Sequence, residues 1–225
     1  HLPDSVHLGA IGYVGRNFDL PTLSVATELA LERGRPTDWH GTLWRLVDPK
    51  APVVFHPDVD ARDERLIGEA MYCDRRPPGP DYLDRLRAFA ERDDFGLTHS
   101  ALALQWLAEN GCRLHGSEGL LQSVVAEMSA RLEVEQSVTD VTACFSARLA
   151  YAGRGNDIPR AWIGRLLGEQ RADGAWPEDP SRHDQSAWHT TLLAVWSLVG
   201  HVQPYNTVPM ISDGRLAPVV GPRDA

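Results

Sequence analysis

The chain has 225 residues, 43% hydrophobic and 24% charged, with a formal net charge of -9. This composition builds a real core and excludes intrinsic disorder, and the acidic balance argues against nucleic acid as a partner, because phosphate binding needs a basic face. No apolar run approaches a membrane span. The three cysteines, Cys73, Cys112 and Cys144, are too few and too odd in number for a disulfide scaffold. They point to a reduced, cytoplasmic setting, and no signal peptide is visible in the residues given.

Residues 1–18 show no clear period. Asp19-Leu20-Pro21 reads as a helix start, with Asp19 as N-cap, and the helix runs to about Arg33, stopping at Gly34. A shorter helix is expected over Thr37–Val47. Residues 49–60 read as irregular, and a further helix is expected from Ala61 to about Tyr72. Arg75–Pro80 (RRPPGP) is the strongest break in the chain. It divides an irregular, partly helical segment, 1–76, from a helical region, 77–202. A Pro-rich tail, 203–225, follows and reads as extended chain on the surface.

The helical region predicts helices near 80–92, 97–110, 117–135, 138–152, 158–171 and 185–199. Three of them, beginning near Leu97, Thr139 and Trp188, are small and apolar almost all round and should be buried. The helices between carry more charge and should lie outside. His99 and Asp140 are 41 positions apart and Asp140 and His189 are 49 apart, a period that suits stacked helical hairpins. The expected architecture is all-α, an α/α toroid or an incomplete arc of one, which a partner chain or dimer would complete.

If the three buried helices run parallel, their N-terminal ends meet at one mouth. His99, Asp140 and His189 are expected in the first turn of each. Two imidazoles and a carboxylate suffice for a divalent metal with an open position, zinc first and iron second. Each residue also has a structural reading: a hydrogen-bonded core histidine, or a helix cap in the case of Asp140. Phe95, Cys144, His183, Asp184 and Trp188 are the candidate lining of a pocket for a small, partly apolar substrate. Asp58, Asp60, Asp63 and Glu64 form an acidic group that helix capping explains. His40, Cys73 and Asp74 are secondary candidates if the N-terminal segment folds over the mouth. No phosphate loop, dinucleotide fingerprint or serine nucleophile elbow is present.

Gln170-x-x-x-Gly174-x-Trp176 lies on a helix-to-turn junction. It resembles the QW repeat of the squalene–hopene cyclase and protein prenyltransferase superfamily, in which the Gln amide caps a neighbouring helix and the Trp packs on it. Asp140-Val141-Thr142-Ala143 resembles the superfamily's acid motif, DxDD followed by Thr-Ala. On that alignment Asp140 matches the middle, proton-donating aspartate, while the flanking aspartates fall on Val138 and Val141. Trp188-His189-Thr190 resembles the Tyr-His-Thr that supplies a zinc-binding histidine in prenyltransferases. Asp140 and Cys144 would then take the parts of the other ligands, at a spacing the family does not keep.

Three functions follow as expectations. The first is a metal-dependent enzyme with His99, Asp140 and His189 as ligands. The second is a metal-free cyclase or isomerase with Asp140 as the acid, and the third is a non-catalytic ligand- or peptide-binding module.

Overall fold

The structure, a computed structural model, describes residues 5–55, 64–177 and 187–202. Among these residues the regular structure is entirely helical. The expected acidic group at 58–63, His183, Asp184 and the tail from 203 lie outside the described residues, as does the side chain of Glu64.

The chain divides into two compact units. The first comprises residues up to Pro78 together with Trp106–Cys112. It begins with α1 (Ser5–Asn17) and α2 (Pro21–Arg33), packed as a hairpin. Helix α1 was missed because its Gly and His residues hide its period. Gly12 is there for a packing reason: a side chain at this position would run into Thr27 of α2. Asp19 does not cap α2. It occupies the connecting turn at φ 52°, and Leu20 precedes the helix with no side-chain cap. Gly34 ends α2 at φ 80°, as expected.

The short helix expected at 37–47 is a 3-10 helix, Trp39–Leu46, whose N-cap Asp38 accepts from the His40 backbone N–H. Leu8, Ala26, Ala30, Trp44, Val47 and Ala51 form the core between these elements. Helix α3 (Glu64–Met71) follows. Arg45, fully buried, makes a two-pronged pair with Asp74 at 2.6 and 2.9 Å and also donates to the Met71 carbonyl. The Tyr13 hydroxyl donates to the Glu109 carboxylate. His40 pairs with Asp38, so His40, Cys73 and Asp74 all have partners within this unit.

Cys73 and Cys112 form a disulfide, with α carbons 6.2 Å apart. This corrects the reading that the cysteines form no bridge. An odd cysteine count does not forbid one bridge; Cys144 is the thiol left over. The bridge joins residues 39 apart in sequence, so its loss frees a sizeable loop in the unfolded chain. Cys112→Ser is expected to cost about 2–4 kcal/mol of unfolding free energy, measured by urea denaturation. An unchanged midpoint would show that the bridge contributes nothing.

The second unit comprises Gly79–Gln105 and the residues from Arg113 on. It holds α4 (Tyr82–Arg92), α5 (Asp94–Glu109) up to Gln105, α6 (Ser117–Val134), α7 (Asp140–Tyr151), α8 (Arg160–Gly168) and α9 (Trp188–Val202). Helix α5 starts earlier than Leu97 because Asp93 Oδ1 accepts from the Gly96 N–H at 2.6 Å, a side-chain cap the sequence did not single out. Residues 142–151 of α7 are buried without a break, as expected of an inner helix. Helix α6 instead buries one stripe, Leu120, Val124, Val125, Met128 and Leu132.

Helices α7 and α9 pack closely. Asp140 meets His189 and Thr190 near their starts, and Ser146 meets Ser197 at 2.7 Å about two turns later. Contacts in that order make the two helices parallel, as expected.

Trp176 joins α8 to α9. Its indole N–H donates to the Leu166 carbonyl at 2.7 Å, its backbone N–H donates to Thr191 Oγ1, and its ring is buried. Gln170 behaves differently from the QW pattern. Its amide donates to the Gly174 carbonyl within its own turn, four residues on, where Gly174 supplies φ 84°. It closes the corner instead of capping a neighbouring helix.

Candidate active site

Thr139 is the N-cap of α7. Its hydroxyl accepts from the Thr142 N–H, and the Thr142 hydroxyl accepts from the Thr139 N–H. This reciprocal box takes over the capping work and leaves the Asp140 carboxylate free for side chains of α9. Asp140 Oδ1 accepts from His189 Nδ1 at 2.8 Å and from the Thr190 hydroxyl at 2.8 Å. The capping reading of Asp140 is thereby set aside.

Donation from Nδ1–H fixes the His189 ring and turns its Nε2 lone pair away from Asp140. The two side chains keep 42% and 33% of their surface exposed, so the pair is reachable from solvent. Thr190 is fully buried. Trp188 lies edge-on to His189 with ring centres 5.2 Å apart.

The Asp140 carboxyl lies below the usual carboxylate range. Burial works against its ionisation, and the hydrogen bonds from His189 and Thr190 together with the two nearby imidazoles outweigh it. It is therefore ionised at neutral pH.

His99 belongs to the second turn of α5, not the first, because the helix begins at Asp94. It lies near enough to His189 and Asp140 for both to act on its charge. Its ring stacks on Phe95, centres 3.8 Å apart, and its Nδ1 bonds to the Phe95 carbonyl at 2.9 Å. Phe95 is itself 44% exposed and covers the histidine from outside. Burial, then the charge of Arg148, pulls His99 from 6.5 to about 4. The imidazole is held neutral.

This has a consequence for acid stability. A group whose folded pKa is depressed contributes fully above its unfolded value and loses that contribution as pH falls through the folded one. The full shift corresponds to about 3 kcal/mol. Because His99 is half-buried, solvent screening reduces this to roughly 1–2 kcal/mol, lost between pH 6.5 and 4. His99→Gln is expected to flatten that part of the urea-stability profile. An unchanged slope would remove His99 as its source.

Cys144 is buried, and burial pushes its thiol up, only partly offset by Arg148 and Thr98. The thiol is therefore protonated at neutral pH. Asp140 spends Oδ1 on His189 and Thr190, and among the described residues no group of three His, Cys, Asp or Glu side chains is placed to hold one ion.

The sequence missed two residues. Thr190 carries a signal in the sequence, a hydroxyl beside a histidine on an apolar helix, and its hydroxyl donates to Asp140. Arg148 lies two turns after Asp140 on the most buried helix, where a charge is costly; that cost was the signal.

No protein-family model, curated protein or solved structure matches the chain.

Proposed function

We propose that the protein is a metal-independent proton-transfer enzyme, of isomerase or cyclase class, acting on a small, partly apolar substrate. The observation that carries this reading is the Asp140–His189 hydrogen bond of 2.8 Å at the starts of two parallel helices. His189 exchanges a proton with the substrate through Nε2. When the lone pair takes a proton from a substrate C–H, the ring becomes an imidazolium. The ionised Asp140 stabilises that charge and holds the ring without taking the proton itself. Returning the proton to another carbon completes an isomerisation and regenerates the neutral ring. Asp140 as the donor, which its motif suggests, has against it a carboxyl that is ionised at neutral pH.

A metal-dependent reading, with zinc or iron, keeps one observation in its favour. Both histidines engage Nδ1 with an acceptor and leave Nε2 available, as metal-ligating histidines do. We further read α5, α7 and α9 as inner helices of an incomplete α/α toroid; the parallel packing of α7 on α9 supports it.

The test is incubation of the full chain with a small-molecule extract in deuterium oxide, with and without chelator, read by mass spectrometry. Deuterium gain in one compound that depends on His189 and survives chelation is expected. Gain that disappears with chelator would turn the reading to metal chemistry. No gain at all would leave a binding module.

A further inference from the structure

Among the described residues, Arg148 is a buried cation with no anionic partner. Arg148 of α7 keeps 6% of its surface exposed, and its Nε and Nη1 are enclosed with no hydrogen-bond partner. The Trp196 ring lies against the guanidinium, 4.9 Å from Cζ to the ring centre. The guanidinium also shares a hydrogen bond with the Cys144 thiol and lies near enough to His99 to act on its charge, and neither of these carries negative charge. Arg45, fully buried in the first unit, is by contrast paired two-pronged with Asp74. Asp140 is two turns away along α7, about 12 Å at 1.5 Å per residue, with Oδ1 already committed to α9.

An unpaired guanidinium in such surroundings is expensive, and a fold keeps one where something else supplies the counter-charge. Guanidinium matches carboxylate and phosphate oxygens in both charge and hydrogen-bond geometry. Side chains on a helix lean toward its N-terminus, so Arg148 reaches back toward His99 and the level of the pair. We propose that Arg148 receives the oxyanion, a carboxylate or a phosphate, of the ligand whose other end reaches His189. The span between them calls for a short apolar chain, on the order of 6–12 Å long. This rests on the Asp140–His189 mouth being the reacting end, and it names the class of substrate that mouth takes.

The probes are octanoate, octyl phosphate, uncharged octanol and inorganic phosphate, each titrated into the full chain by calorimetry. At least one charged amphiphile is expected to bind about tenfold or more tighter than octanol, as a charge-assisted hydrogen bond implies, and which one does so tells carboxylate from phosphate. Arg148→Met should erase that preference and melt at the same temperature as the parent or higher, since a buried unpaired charge is gone. Arg148→Lys should retain part of it. Equal affinity for octanol, a preference that survives Arg148→Met, or an Arg148→Met chain that melts markedly lower would each overturn the proposal. Inorganic phosphate binding as tightly as octyl phosphate would overturn the apolar chain.

The two readings fail separately. An anion preference without deuterium gain in any compound leaves Arg148 as a binding site and removes the proton transfer. Deuterium gain at the parental rate in Arg148→Met does the reverse.

Discussion

His189→Ala is expected to slow deuterium incorporation by about 10²–10⁴-fold, the usual worth of a positioned acid–base group. Asp140→Asn should slow it by a comparable factor, about 10² or more, for a different reason. The amide keeps the shape of the side chain but brings no charge to stabilise the imidazolium, and it can turn its NH₂ toward His189 and fix the wrong tautomer. Neither change should unfold the chain, because the Thr139–Thr142 box, not Asp140, caps α7. Circular dichroism of both variants checks this. If Asp140 were itself the proton donor, Asp140→Asn would abolish turnover while a His189 variant kept a good part of it.

The second large effect is structural. Trp176→Ala removes a ring that is 1% exposed, together with the hydrogen bond from its Nε1 to Leu166. Large-to-small substitutions of buried Trp cost about 3–5 kcal/mol. At roughly 2–4 °C per kcal/mol for a chain of this size, the melting temperature should fall by about 10 °C. Trp176 also receives the Ala187 N–H at its carbonyl and donates its own N–H to Thr191, so the loss loosens the start of α9, where His189 stands. Trp176→Phe should retain most of the packing and cost about 1–3 kcal/mol. A Trp176→Ala chain that melts like the parent would show that the corner is held by other contacts. Gln170→Ala, by contrast, breaks only an exposed bond within its own turn.

The helices of the second unit were legible because their apolar residues recur at helical spacing and Gly or Pro punctuates them. Helix α1 was not, since the small residues that let it approach α2 at Gly12 carry no hydrophobic signal. The meeting of Asp140 and His189 followed from a repeat of similar buried helices. Its form did not, because whether a carboxylate holds a histidine or a metal depends on which oxygen faces which nitrogen. The role of Thr139 shows the same limit: Thr and Asp are both good caps, and sequence alone does not say which one caps and which is left free. The Cys73–Cys112 bridge joins a residue just past α3 to one just past α5, a proximity set by tertiary packing, and counting cysteines missed it. Arg148 was legible only as a charge on a helix otherwise small and apolar; that it lacks an anionic partner is a matter of tertiary packing.

The most direct measurement is the proton position on His189, read by nitrogen-15 NMR of histidine-labelled protein, with His189→Gln to assign the resonance. Asp140 holding the ring requires the proton on Nδ1, in a hydrogen bond that slows its exchange with water, and requires that signal to move or vanish in Asp140→Asn. A His189 ring protonated on Nε2 with Nδ1 bare, or a resonance indifferent to Asp140→Asn, would contradict the pair and the chemistry built on it.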